Sequence, residues 1–124
     1  MRIFIIDDSR TMRNIQKSVL AKLGYTDIEE AGDGQDALSK IDAFEPDLIL
    51  LDWNMPIMDG ITFAKKYRAQ GRTVPIIMVT TEAEKHRIIE AIKAGVNNYV
   101  VKPFTPELLS AKVNETMARA EKAA

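Results

Sequence analysis

Four short runs of apolar residues stand out along the chain. They are Ile3-Phe4-Ile5-Ile6, Leu48-Ile49-Leu50-Leu51 (introduced by Asp47), Ile76-Ile77-Met78-Val79 and Tyr99-Val100-Val101. Near-continuous runs of this length predict strands buried on both faces of a parallel sheet. A weaker segment from Asp27 to Ala31 predicts an edge strand. Between these runs the apolar spacing changes to that of a helix. Met12, Ile15, Val19 and Leu23 fall on one face of a first helix that Gly24 stops. Residues 34–43 bring Ala37, Leu38 and Ile41 together, and residues 60–69 align Ile61, Ala64 and Tyr67 or Arg68. Residues 82–94 carry Ile88, Ile89 and Ile92 before Gly95. The last helix opens on Thr105-Pro106-Glu107, an N-cap followed by proline at the first helical position. It continues through Leu108, Leu109, Val113 and Met117 to an Ala-rich end expected to fray.

A βα unit repeated five times predicts an α/β fold, a doubly wound parallel sheet of five strands with helices on both faces. Crossovers should be right-handed. No linker or low-complexity tract interrupts the pattern, so residues 1–124 are expected to form one domain. Composition narrows the function. With 46% hydrophobic and 28% charged residues the chain is an ordinary globular sequence, not a disordered one. Its 17 basic and 18 acidic residues are interspersed, a poor basis for binding nucleic acid through phosphates. The absence of cysteine excludes disulfides and thiolate chemistry and agrees with a reducing compartment. The apolar start is too short for a signal peptide or a membrane span, so a cytoplasmic location without membrane attachment is expected.

The residues with chemical potential stand directly after the strands. Asp7-Asp8 comes after the first, Asp52 after the third, Thr80 at the end of the fourth and Lys102-Pro103 after the fifth. Ligands of open α/β sheets bind beyond the carboxyl ends of the strands. Taken singly, each residue has a plain reading: Asp7-Asp8 as a helix cap, Asp52 as a turn residue, Thr80 as a cap and Lys102 as a surface lysine. Their joint placement is what those readings leave unexplained. The stretch Thr81-x-x-Glu84 fits a capping box, which assigns the cap to Thr81 and leaves the Thr80 hydroxyl facing the cleft. Clustered carboxylates repel unless a cation intervenes. An oxygen-only donor set suits magnesium, and His86 as the single histidine argues against a zinc site. His86 itself reads as a solvated helix residue. Glycine-rich nucleotide loops are absent.

These residues bring a family into view. Ile5-Ile6-Asp7-Asp8-Ser9, Leu51-Asp52-Trp53-Asn54-Met55-Pro56-x-Met58-Asp59-Gly60, Met78-Val79-Thr80-Thr81-Glu82, Ala94-Gly95 and Tyr99-Val100-Val101-Lys102-Pro103-Phe104 together form a highly specific set. The chain resembles bacterial response-regulator receiver domains, above all the single-domain chemotaxis regulators of the CheY type. The resemblance implies the strand order 2-1-3-4-5, which makes the first and third strands neighbours. It implies Asp52 as phosphoacceptor. It implies Mg2+ held by Asp7, Asp8, Asp52 and the backbone carbonyl of Asn54. Lys102 would contact the phosphoryl group, with a cis bond to Pro103, and Thr80 and Tyr99 would form the switch. Asn54 and Glu82 occupy the positions that tune phosphoryl lifetime, and here they resemble the short-lived chemotaxis type. Ser9 departs from the bulkier residue frequent at its position.

The implied function is a signalling switch, not an enzyme with a separate substrate. It would take a phosphoryl group from a histidine kinase, act as a monomer and signal to a protein such as a flagellar motor switch protein, with a phosphatase as a further candidate partner. Transfer to another partner in a phosphorelay is the alternative output. The expected partner surface comprises Lys85, Ile88, Ile92, Tyr99 and Lys112, although a stripe such as Ile88 and Ile92 also fits plain core packing. Three other functions on this architecture fit less well. An aspartyl-phosphate hydrolase would have Asp-x-Asp after the first strand and a cap domain. A flavodoxin-like carrier would have a Ser/Thr/Gly-rich loop where Asp7-Asp8 stands. A module kept for protein interaction alone would not need all five site residues.

Overall fold

A computed structural model describes residues 1–123. Five strands alternate with five helices: β1 (Arg2–Ile6), α1 (Arg10–Lys22), β2 (Asp27–Ala31), α2 (Gly34–Phe44), β3 (Leu48–Leu51), α3 (Gly60–Ala69), β4 (Ile76–Thr80), α4 (Lys85–Lys93), β5 (Asn98–Val101) and α5 (Pro106–Ala123). All strand pairs are parallel and the order is β2-β1-β3-β4-β5. The strands predicted from the apolar runs are present, with β2 at the edge. α5 remains helical through Ala123, and Ala124 of the expected frayed end lies outside the described residues.

Side chains alternate across the strands, so each strand serves two cores. Phe4, Ile6, Ile49, Leu51, Ile76 and Met78 pack with Ala37, Ile41, Ile61, Phe63, Ala64, Tyr67 and Ala91, under α2, α3 and α4. Ile3, Ile5, Leu48, Leu50, Ile77, Val79 and Val100 pack with Val19, Leu20, Leu109 and Val113, under α1 and α5. Burial on both faces explains why Ile3–Ile6, β3 and β4 read as unbroken apolar runs, whereas β5 is the other edge strand and, against expectation, buries only Val100 fully.

Two expectations about helices need correction, and a third stood open between two readings. α1 does not bury the stripe Met12, Ile15, Val19, Leu23. Gln16, Val19 and Leu20 are its buried residues, and Ile15 is 44% exposed. The inward face is rotated because Gln16 has polar partners inside the fold. The Thr81-x-x-Glu84 capping box does not form. α4 begins at Lys85, and its N-cap, Glu84, makes no side-chain capping bond. The preceding segment is committed elsewhere: the Glu82 N–H donates to Thr80 Oγ1 (3.4 Å) and the Glu82 carbonyl accepts from Tyr99 OH (2.6 Å). In α4 only Ala91 is fully buried, and Ile92 is 58% exposed. The stripe that fits either core or surface is therefore largely surface. The Thr105 cap of α5 does form, with Oγ1 accepting from Leu108 N–H at 3.1 Å.

The β3–α3 connection carries backbone strain. Ile57 has φ 68°, and the Met58 N–H donates to the Pro56 carbonyl two residues back at 2.7 Å, a tight γ-turn. A β-branched residue is disfavoured in this region, and the Ile57 side chain gains little burial in return at 77% exposure. Ile57→Asn is therefore expected to raise the unfolding free energy by about 1 kcal/mol, measured by urea denaturation. A loss of stability would mean the turn is not strained.

Candidate functional site

Register brings the polar residues together. β1 and β3 are adjacent with Ile6 opposite Leu51, so the next residue on each, Asp7 and Asp52, emerges at the same sheet end. Backbone bonds fix both: Asp52 N–H donates to Ile6 O (2.8 Å) and Asp7 N–H to Ala31 O (3.1 Å). A carboxylate oxygen from each of Asp7, Asp8 and Asp52 lies within 4.8 Å of the others. Asp7 and Asp52 are buried, and Asp8 is open to solvent. β5 delivers Lys102, whose Nζ lies 2.7 Å from Asp7 Oδ2 and 3.4 Å from Asp52 Oδ2. The Lys102–Pro103 bond is cis, in agreement with the resemblance. Thr80 ends β4 and is wholly buried.

Neither aspartate of the first pair caps a helix. Ser9 is the N-cap of α1, with Oγ accepting from Met12 N–H at 3.2 Å, while its own N–H donates to Asp7 Oδ1 at 2.9 Å. The small residue at this position thus orients Asp7 and starts the helix, leaving both aspartates for the cleft. Gly60 fits where no β-carbon could, since one there would overlap the backbone carbonyl of Asp52. Its N–H donates to the Trp53 carbonyl at 2.8 Å, drawing the start of α3 against the acidic strand end. His86 is well exposed on α4 and takes no part.

Burial, and then the charge of Asp7, push the Asp52 carboxyl above its ordinary value. Lys102, the Trp53 N–H (2.7 Å from Asp52 Oδ1) and the Thr80 hydroxyl oppose that rise without cancelling it. The net excess of negative charge and the oxygen-only donor set fit a hard divalent cation such as Mg2+.

Glu82 brings Thr80, Tyr99 and Asn54 together through three hydrogen bonds. Its N–H meets Thr80, its carbonyl meets Tyr99 OH, and its Oε1 accepts from Asn54 Nδ2 at 3.3 Å. Burial, then the charge of Glu82, push the Tyr99 phenol up to about 12, so at neutral pH it is a hydrogen-bond donor. Of the expected partner surface, Lys85, Ile88 and Ile92 lie on α4, Tyr99 on β5 and Lys112 on α5. Two residues that hold the site are not among those read from the sequence. Arg13 Nη1 donates to the Asp7 carbonyl (2.5 Å) and Gln16 Nε2 to Asp7 Oδ2 (3.4 Å). The available signal was a glutamine three residues before Val19 and four before Leu20, on the apolar side of α1.

The response regulator receiver domain family matches residues 3–114. The chain belongs to that family. It is 50% identical over 116 residues to chemotaxis protein CheY1 of Helicobacter pylori (strain J99), covering 91% of this chain and 94% of that protein. It is 46% identical over 121 residues to chemotaxis protein CheY of Pseudomonas aeruginosa, covering 96% and 98%. Among solved structures, a CheY-like receiver domain protein from Methanospirillum hungatei superposes with TM-score 0.90 at 30% identity, over 99% of this chain and 98% of that one. Vibrio cholerae chemotaxis protein CheY4 superposes with TM-score 0.86 at 35% identity, over 93% and 97%. As a CheY-like receiver domain, the chain is a response regulator whose acidic strand ends fit the family's Mg2+ site.

The raised Asp52 pKa gives a testable sign. Its neutral form favours the fold at low pH, and that contribution is lost as pH rises through the folded-state value. Without magnesium at neutral pH, Asp52→Asn should melt a few degrees above wild type, and the gap should close as the pH approaches the ordinary carboxylate range. Calorimetry across pH measures this, and a variant less stable at neutral pH would contradict it.

Proposed function

We propose that this receiver domain is a chemotaxis switch that takes a phosphoryl group from a histidine kinase onto Asp52 and signals to a flagellar motor switch protein. The observation that carries the proposal is the placement of Lys102 between Asp7 and Asp52 in a cluster with Asp8. The chemotaxis names of the relatives support the choice of pathway.

In the proposed reaction an Asp52 oxygen attacks phosphorus in line. The bond from phosphorus to the donor's imidazole nitrogen breaks, and Asp52 becomes an acyl phosphate. Bound magnesium supplies positive charge to the transferring oxygens. Asp7, Asp8, Asp52 and the Asn54 carbonyl would hold it. Lys102, already within reach of Asp52, adds a second charge. Water attack on the phosphorus later breaks its bond to the Asp52 oxygen, releases inorganic phosphate and restores the carboxylate, at a rate tuned by Asn54 and Glu82.

Phosphorylation adds charge and acceptors next to Thr80. The Thr80 hydroxyl donates to the phosphoryl group, loosens its contact with the Glu82 N–H and thereby shifts the segment that Tyr99 holds. Moving the active population from ~1% to ~99% needs about 5.5 kcal/mol of differential stabilisation. A few charge-assisted hydrogen bonds of roughly 1.5–3 kcal/mol each are enough. The output face is α4 with β5 and α5, where Ile92 stands exposed on the same helix as Lys85.

Trp53 is buried next to Asp52, with the Arg87 guanidinium 5.3 Å from its ring centre, so its emission reports on the site. Magnesium should change that emission, and acetyl phosphate should cause a second, reversible change absent in Asp52→Asn. No response to either addition would defeat the proposal. Ile92→Arg should leave both changes intact and weaken binding to a motor switch protein about tenfold, measured by calorimetry. Unchanged binding would remove Ile92 from the output face.

A further inference from the structure

We infer that Gln16 is a positioning residue of the metal site, holding the Asp7 carboxylate from inside the fold so that it meets the cation in a fixed orientation. Gln16 is 1% exposed and lies on the face of α1 that also buries Val19 and Leu20. A buried amide is costly there unless its hydrogens find acceptors. Nε2 has two hydrogens and two acceptors in reach, Met12 O at 3.3 Å and Asp7 Oδ2 at 3.4 Å. The first bond, to the previous helical turn, fixes the side chain. The second is the one directed at the site.

Asp7 is then gripped at every polar point. Ser9 N–H takes Oδ1, and Lys102 and Gln16 share Oδ2. Arg13, one helical turn before Gln16, holds the main-chain carbonyl, with its own Nε paired to Glu30 Oε1 at 2.6 Å. Lys102 divides its charge between Asp7 and Asp52 and cannot fix either carboxylate alone. Among the described residues Gln16 hydrogen-bonds Asp7 and not Asp52, and it is neutral. It therefore orients Asp7 without neutralising the charge that attracts a cation. Loss of a partner of this kind behind a metal ligand typically lowers metal affinity by about 10- to 100-fold.

The inference rests on the magnesium reading of the cluster, so wild type is titrated first, following Trp53 emission. No response in wild type defeats that reading and this inference with it. Given a response, Gln16→Met keeps volume and helix preference but removes the donor. Its magnesium Kd should rise about tenfold, with a melting temperature equal to or above wild type. In an Asp7→Asn background the same substitution should change Kd less than about twofold, because the group it orients is already altered. Gln16→Leu serves as a second donor-free variant if Met perturbs the helix. An unchanged Kd in a folded Gln16 variant, or an equal loss in both backgrounds, would overturn the inference while leaving the magnesium site standing.

Discussion

Like charges held close together in a partly dry site are the constraint on which this structure turns. The parallel pairing of β1 with β3 forces Asp7 and Asp52 out at the same edge, and their backbone amides are tied into the sheet. Neither can retreat without breaking the ladder. Their repulsion is moderated by Lys102, brought from the far end of the sequence by β5. The two apolar cores provide the stability against which this local cost is set. A fold without those cores could not keep an acidic cleft open for a cation.

The same logic explains what surrounds the cleft. Beside the charged Lys102 and Arg13, neutral donors hold the carboxylates of the cleft and orient them without removing charge. Ser9 N–H and Gln16 act on Asp7, and Trp53 N–H acts on Asp52. Gly60 lets α3 start hard against the Asp52 carbonyl, and the strained turn at Ile57 completes the return of the chain from β3. Backbone strain of this kind sits on the connection that must pass close to the acidic residue.

The sheet is legible in the sequence because burial on both faces leaves strands such as Ile3–Ile6 and Leu48–Leu51 with no polar interruption. The five site positions are legible because they stand together at the strand ends, which the plain reading of each one singly leaves unexplained. Strand order is not. It depends on which edges pair, and the pattern within each strand is blind to that; the family resemblance supplies it. The inward face of α1 escapes the apolar pattern because its position 16 is polar for a reason that lies on another element, Asp7. The capping box fails for a similar reason. Thr81 and Glu84 have the right spacing, but Thr80 and Tyr99 hold Glu82 outside the helix. Local rules break where a distant side chain competes with them, and those places border the site.

Glu82 shows why that coincidence has physical meaning. A residue inside a regular helix commits its N–H and carbonyl to the helix. Glu82, kept in the loop, has both free for side-chain partners, and its carboxylate reaches a third residue on another loop. Thr80, Tyr99 and Asn54 therefore meet through one residue. A small displacement of Thr80 changes the bond that helps place Glu82, and with it the acceptors of Tyr99 and Asn54. Had the capping box formed, α4 would have started earlier, the Glu82 amide and carbonyl would belong to helical bonds, and the route from β4 to β5 would be closed. The late start of α4 is the structural condition for joining Thr80 at the end of β4 to Tyr99 on β5 through Glu82.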